Sequence, residues 1–264
     1  MKRRDGSEVA DPVRRALLGG IVATAGLALG AAAGAAFGED AKEEAGEADE
    51  AKEAKEAAKA DEADEAQEAD EAEVTPGEDL MQEHGVLERV LLIYDEVARR
   101  SEGGGRIDAA AFAAAAAGAE IVRTFVEDYH EKLEEDFLFP RLESARVQTD
   151  LVAVLRQQHQ RGREVTAEIA RLAAGPASSD PSGLATLLRS FERMYRPHAA
   201  REDTVLFPAF RRVVGRDAYR QLGEEFEERE HRLFGEDGFE RTVERIASIE
   251  QQLGIYALEQ FTPR

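Results

Sequence analysis

Two eleven-residue stretches of the chain repeat the same arrangement of histidine, glutamate and proline. HEKLEEDFLFP (residues 130–140) and HAAREDTVLFP (residues 198–208) each place a glutamate four residues after the histidine, and a Phe-Pro pair after four further residues. Residues four apart on a helix lie on the same face, one turn from each other. Each stretch therefore presents an imidazole and a carboxylate to one side of a helix.

Two of the three remaining histidines extend this pattern. His84 lies on an apolar stripe whose spacing alternates between four and three residues, which is typical of a buried helix face. The stripe contains Leu80, His84, Leu87, Leu91, Tyr94 and Ala98. His159 shares a predicted helix face with Val152, Leu155 and Ile169. The chain therefore runs His, His-x3-Glu, His, His-x3-Glu, with the single histidines 75 residues apart and the pairs 68 apart.

The signals from residue 74 onward are helical, without the alternating β-branched runs of strands. Residues 75–78 form a capping box with proline at the first helical position, and the glycine-rich residues 101–106 end the first helix. Further helices are predicted at about 108–140 and 150–174, after the loop 175–183, and at 217–234 and 238–253. We predict an all-α fold: an up-down-up-down four-helix bundle at about residues 76–212, with additional C-terminal helices in residues 213–264.

The four histidines and two glutamates of the pattern predict a metal site. Burying these groups in a small core is costly unless they have partners, and a cation supplies a partner for every lone pair. Six nitrogen and oxygen ligands exceed the needs of one tetrahedral zinc ion, whereas two ions bridged by the two glutamates would use all six. The chain has no cysteine, so the ligand set favours iron, manganese or zinc. The predicted metal ligands are His84, His130, Glu134, His159, His198 and Glu202.

Residues 79–210 resemble the hemerythrin-like, or HHE cation-binding, domains, and the two eleven-residue stretches with their upstream histidines carry the resemblance. It implies a non-haem centre of two iron ions, bridged by oxygen or carboxylate, that binds O2, NO or peroxide in sensing, storage or detoxification. By position, His84, His130 and Glu134 would form one half of the ligand set. His159, His198 and Glu202 would form the other half, with the two glutamates as bridges.

The chain departs from the oxygen-carrying members of that family. Those proteins have two histidines four apart on one helix, whereas Gln160 and Arg163 stand where a second histidine of the third helix would be sought. The second pair is His-Glu, as in the branch linked to iron or redox sensing. The resemblance therefore favours sensing over O2 transport.

Several alternatives remain open at the level of the sequence. Ferritin-like bundles use Glu-x-x-His, a spacing that occurs at Glu127 and Glu228, but the residue three before His198 is tyrosine. His231 is either a seventh ligand or a surface residue. Tyr129 and Tyr195 are candidates for hydrogen bonds to the ligands or for core packing. The same site would also suit a peroxidase-like or ferroxidase-like oxidoreductase, or a non-redox module that binds zinc or another metal.

The segments before residue 74 predict export. Residues 1–38 contain Arg14-Arg15-x-Leu17-Leu18, which resembles a twin-arginine signal, and Ala33-Gly34-Ala35, which resembles a cleavage site. The alternative is an uncleaved anchor at residues 16–37, so any membrane contact is expected through this segment only. We predict a protein of the periplasm or cell envelope.

The acidic residues of the chain are concentrated in one segment. Residues 39–73 hold seventeen acids and four lysines, which predicts a solvated spacer ahead of the helical domain at residues 74–264. The formal net charge of the chain is −21, and no basic stripe is present, so nucleic acid is not expected as a partner.

Overall fold

The computed structural model describes residues 74–102, 109–175 and 180–263. Within these ranges the chain forms helices and turns without a strand, which confirms the all-α fold class. The predictions of an export signal in residues 1–38 and of an acidic spacer in residues 39–73 lie outside the described residues.

Four long helices form the bundle, and each packs against two neighbours. Helix α1 packs against α2 and α4, and α3 packs against the same two helices. Short connections between consecutive helices place them side by side, as the sequence predicts. The bounds are Pro76–Glu102 for α1, Ala109–Ala145 for α2 and Thr149–Ala173 for α3; α4 consists of Pro181–Arg201, Glu202–Leu206 and Phe207–Val214 in one continuous run.

The predicted features of α1 are confirmed. All six members of its apolar stripe, including His84, are buried. At its start the Glu78 carboxylate accepts a hydrogen bond from the Thr75 backbone N–H, at 3.0 Å. This contact satisfies one of the backbone donors that a helix start leaves unpaired.

Helix α2 is longer than predicted, because the Phe-Pro pair does not end it. The helix continues past Pro140 to Ala145 and closes at Arg146, whose φ is 56°. Just before the proline the chain widens into a π-helical turn, Glu134–Leu138, in which the Phe139 N–H donates to the Glu134 carbonyl. A wider turn accommodates a proline ring that would otherwise clash with the preceding turn.

The second Phe-Pro pair has the same local structure. A π-helical turn, Glu202–Leu206, precedes Pro208, and the Phe207 N–H donates to the Glu202 carbonyl. Val205 follows His198 by seven residues, a spacing that keeps one face in a regular helix, but Val205 is 37 % exposed, and Leu206 and Phe207 are buried instead. The wide turn moves the buried face on by about one residue, which a regular helical spacing does not predict.

The two predicted C-terminal helices are confirmed as α5, Arg216–Phe234, and α6, Gly238–Leu253, and a short 3-10 turn, Leu258–Phe261, follows. They pack on the outside of α1 and α2. The Glu250 carboxylate of α6 accepts two hydrogen bonds from Arg89 of α1, at 3.0 and 2.6 Å. The Tyr219 hydroxyl of α5 accepts from the Gly77 N–H at 2.9 Å.

The alanine-rich half of α2 lies between other helices of the fold. By length and composition alone, Ala109–Ala145 is apolar enough to cross a membrane, but 56 % of its most apolar window is buried inside the fold. Its start packs against α1, α3 and α6, as a bundle core helix does.

Helices α3 and α4 approach closely at Gly162. A Cβ atom on this residue would lie 1.9 Å from the Tyr195 hydroxyl oxygen, whereas one on Gly85 of α1 would meet nothing within 4 Å.

We expect Gly162→Ala to lower the free energy of unfolding by about 1–3 kcal/mol, because the tyrosine must move. Gly85→Ala is the matched control and should raise it by roughly 0.5–1 kcal/mol. Urea unfolding followed by circular dichroism measures both, and equal responses would contradict the close approach.

Candidate metal centre

The bundle brings all six predicted side chains into one buried cluster. Helix α1 contributes His84 and α3 contributes His159, whereas α2 and α4 each contribute one His-Glu pair. Each of the six residues is at most 4 % exposed. Residues four apart on α2 and α4 do lie on one helical face, as the spacing predicts.

The first half of the cluster lies where α1 and α2 meet. The Nε2 atoms of His84 and His130 are 3.1 Å apart. The Glu134 Oε2 atom lies 4.0 Å from the His130 Nε2 atom, and the Glu202 Oε2 atom lies 3.3 Å from the His84 Nε2 atom. The imidazole edges of α1 and α2 therefore face carboxylates from both α2 and α4.

The second half lies where α3 and α4 meet. The Glu202 Oε1 atom is 3.0 Å from the His198 Nε2 atom, and the Glu134 Oε2 atom is 3.4 Å from the His159 Nε2 atom. Glu202 thus directs one oxygen to each half, and Glu134 lies between a histidine of each half. Both glutamates therefore lie near histidines of both halves.

Each of the four histidines is held from behind through its Nδ1 atom. His84 Nδ1 is paired with Asp203 at 2.7 Å, and His130 Nδ1 with Glu83 at 2.6 Å. A bond of this kind fixes the tautomer and the plane of a ligand imidazole and raises its basicity. The other two pairs are His159 Nδ1 with Glu135 at 3.1 Å and His198 Nδ1 with Gln158 at 2.9 Å.

Sequence reasoning missed these four partners, although a signal for them was present. Two of the partners directly precede a single histidine, and two directly follow a glutamate of the repeated stretches. Both repeats have an acid after the glutamate, Glu135 and Asp203, which a position-by-position comparison would have shown. Their targets lie on a neighbouring helix, so helical spacing alone could not identify them.

The Phe-Pro pairs also contact the site. Phe139 stacks on the His159 ring with 5.5 Å between ring centroids, and Phe207 stacks on the His84 ring at the same distance. Each repeated stretch therefore supplies its own ligand pair, and it also supplies an acid and an aromatic ring for the single histidine of a neighbouring helix.

The protonation of the cluster favours ligation. Burial lowers the pKa of His159 to about 4, and burial together with the charge of His84 lowers the pKa of His130 well below its ordinary value. Both imidazoles are therefore neutral at pH 7. Because their Nδ1 atoms face carboxylates and carry the proton, their Nε2 lone pairs point to the centre.

The pKa values of His84 and Glu134 are raised and that of Glu202 is lowered. Burial would lower the pKa of His84, but the nearby carboxylates of Asp203 and Glu202 outweigh burial and raise the pKa to about 9. Burial, with the nearby charge of Glu202, raises the pKa of Glu134 well above its ordinary value. Burial would also raise the pKa of Glu202, but His198 and His84 hold it well below the ordinary value. A bound cation would replace these protons as the source of positive charge.

The donor atoms themselves fit metal ions. Within the described residues, both oxygens of Glu134, both oxygens of Glu202 and the Nε2 atom of His159 are buried without a hydrogen-bond partner. Two ligand atoms at right angles and about 2.1 Å from one ion lie about 3.0 Å apart, close to the 3.0–3.4 Å separations of most neighbouring pairs in the cluster. Two overlapping groups offer ligand atoms that lie within 4.8 Å of one another: His84, His130 and Glu134, and Glu134, His159, His198 and Glu202.

A third group of possible ligands, Glu131, Glu135 and His159, already has a cation. The Arg163 guanidinium lies 2.8 Å from a carboxylate oxygen of each glutamate. Arginine at position 163, where a second histidine was sought, therefore neutralises the acids behind His159. This group needs no metal ion.

The structure separates the roles of the two tyrosines. The Tyr195 hydroxyl donates to Glu131 at 2.7 Å, and its ring lies 5.3 Å from the His198 ring. The Tyr129 ring packs in an aromatic cluster with Phe125 and Phe234, at 5.6 and 5.5 Å. Tyr195 thus contacts the surroundings of the site, and Tyr129 belongs to the packing between α2 and α5.

The alternative ligands do not join the cluster. The His231 side chain is 43 % exposed, and its Nε2 atom lies 4.0 Å from Glu227, so it is a surface residue. Glu127 is buried and is absent from each group of potential ligands found among the described residues. Glu228 pairs with Arg232 on the surface at 3.5 Å. The Glu-x-x-His spacing of ferritin-like proteins is therefore not the one used here.

The fold and the cluster together define a helical-bundle cation-binding protein. Comparison with known families agrees, since residues 75–210 match the model of the hemerythrin HHE cation binding domain. The chain belongs to this family.

Relatives of high similarity occur in mycobacteria. Uncharacterized proteins of Mycobacterium bovis and of two strains of Mycobacterium tuberculosis are each 48 % identical to the chain over 193 residues, which cover 72 % of this chain and 74 % of each relative. No solved structure gives a significant match.

Proposed function

We propose that the protein binds two iron ions at the six clustered side chains and uses them to bind O2, NO or peroxide, in sensing, storage or detoxification. The observation that carries the proposal is the pair of buried glutamates, whose four oxygens lack hydrogen-bond partners among the described residues and which lie between histidines of both halves. Carboxylates in such a position are stabilised by two cations.

Each half of the cluster would hold one ion. His84, His130 and Glu134 would bind the first, and His159, His198 and Glu202 the second, with both glutamates spanning the pair. Imidazole and carboxylate ligands in this number suit iron better than tetrahedral zinc, and manganese is the nearest substitute. When bound, the iron pair supplies redox-active positions that a small ligand can occupy.

The surrounding residues restrict what the site can bind. The six ligands are at most 4 % exposed, and Phe139 and Phe207 cover the two single histidines. A diatomic molecule or peroxide is small enough for such a site. Burial also strengthens the electrostatic interactions that hold a charged ligand.

The first test is metal content with the ultraviolet–visible spectrum. Protein purified from iron-replete cells should hold about two iron ions per chain, and its spectrum should respond to O2, NO or peroxide. Glu134→Gln combined with Glu202→Gln should lose most of this iron, because an amide is a poor bridging ligand. The spectral response to the small ligands should disappear with it.

The matched control for this test removes two carboxylates from the surface. Glu143 and Glu168 form exposed ion pairs with Arg156 and Arg171, so Glu143→Gln with Glu168→Gln should leave the iron content unchanged. Equal iron content in all three proteins would contradict the bridging assignment. Zinc in place of iron would favour the non-redox module.

The contact between Tyr195 and Glu131 favours a second candidate function, a peroxidase-like or ferroxidase-like oxidoreductase. A tyrosine beside a ligand ring can pass an electron to the site if its proton has an acceptor, and the Glu131 carboxylate is hydrogen-bonded to the hydroxyl. Tyr195→Phe should then leave the iron content unchanged and reduce peroxide turnover with an added reductant at least tenfold. The control is Tyr256→Phe, at an exposed tyrosine. Unchanged turnover in Tyr195→Phe would exclude this role of the tyrosine.

We also propose that the protein acts in the periplasm or cell envelope. The proposal rests on Arg14 and Arg15 ahead of an apolar segment, a sequence that resembles a signal for export of folded proteins. Replacing both by lysine should retain a full-length reporter fusion in the cytoplasm, as measured by cell fractionation. The control is the same replacement of Arg3 and Arg4, a pair without leucines at the second and third positions after it. Equal export of both variants would refute the signal.

A further inference from the structure

The ligands of the two halves match position for position, but one pair of outer partners differs in charge. Glu83 directly precedes His84 and pairs with His130, and Gln158 directly precedes His159 and pairs with His198. These two partners occupy equivalent places, 75 residues apart, as the single histidines do. One is a carboxylate and the other a neutral amide.

The amide and the carboxylate differ in what they do to a ligand imidazole. A carboxylate that accepts the Nδ1 proton makes a charge-assisted bond, about twice as strong as a neutral one. It also draws the proton away and raises the electron density at Nε2. Glu83 is 2 % exposed, so solvent screens this interaction little.

The remaining partners increase the difference. His84 is paired with Asp203. Among the described residues, no lysine or arginine forms an ion pair with Asp203. His159 is paired with Glu135, whose charge is offset by Arg163 at 2.8 Å and by Lys132 at 2.5 Å. The outer partners of the first half are thus two carboxylates, whereas those of the second half are a neutralised carboxylate and an amide.

We propose that the two metal positions are unequal, and that the position at His84 and His130 binds its ion first and more tightly because of Glu83. The inference deepens the proposed two-ion centre and rests on it. The same charge difference would hold the more oxidised ion of an unequally oxidised pair at this position. Glu83 and Gln158 act through the histidines and are positioning residues, not ligands.

The test is a titration of the full-length apoprotein with Co(II) in the absence of oxygen, because Co(II) reports each binding step by its visible absorption. The wild type should bind two ions in two steps. Glu83→Gln should weaken the first step by about 10- to 100-fold, the usual effect of losing such a partner. The second step should change by less than about threefold, the spread of ordinary context effects.

Gln158→Glu is the reciprocal variant and makes the proposal testable if Glu83→Gln does not fold. It should tighten the second step by about tenfold and leave the first step within about threefold. Both variants keep nearly the same side-chain shape, and circular dichroism of the apoprotein shows whether each is folded. If Glu83→Gln weakens only the second step, or Gln158→Glu changes only the first, the inequality proposed here is wrong.

The outcomes separate this inference from the proposed function. A wild-type protein that binds fewer than two ions would refute the two-ion centre itself. Two ions whose affinities respond equally to both variants would refute the inequality and leave the two-ion centre intact.

Discussion

The structure depends on the burial of four imidazoles and two carboxylates at the centre of the core, which most small domains avoid. Such groups are costly to bury unless every polar atom finds a partner. The chain meets half of this need by itself, since each histidine is held at Nδ1 by a side chain of a neighbouring helix. These bonds turn the four Nε2 atoms toward one another. The polar atoms of the six groups that still lack a partner are therefore concentrated at one place, where cations would supply the partners.

The repeated stretch is best understood as a unit that serves two helices. Glu134 and Glu202 enter the cluster, the acids that follow them hold a histidine of another helix, and the phenylalanines before the prolines stack on that same ring. The π-helical turn within each stretch allows this, because it changes the direction of the residues after the glutamate without breaking the helix. The proline is therefore tied to the geometry of the site and does not mark a helix end.

The sequence was sufficient to predict the six side chains that point into the bundle. It was not sufficient to predict the side chains of neighbouring helices that hold them. Helical spacing and the doubled pattern identify side chains on one face of a helix, so the fold class, the apolar stripe of α1 and the approach of His84 to the His-Glu pairs followed from it. Glu83, Gln158 and Arg163 act across helices, and their partners depend on how two helices are rotated against each other. The exposure of Val205 depends on a π-helical turn, which has no periodic signal in the sequence.

The shape of the fold around the cluster sets a limit on the ligand. Two surface cavities, one lined by residues that include Ser101 and Arg189 and one that includes Phe137 and Arg229, contain none of the six clustered side chains. Two groups behind the clustered histidines are partly exposed: the side chain of Asp203, which holds His84, is 34 % exposed, and that of Arg163, which pairs with the acids behind His159, is 30 % exposed. A substrate of several carbon atoms would have to displace a stacked phenylalanine or break a histidine–acid pair to reach the Nε2 atoms. A molecule with two non-hydrogen atoms would not, and this difference in size is the physical reason to look for its ligand among O2, NO and peroxide.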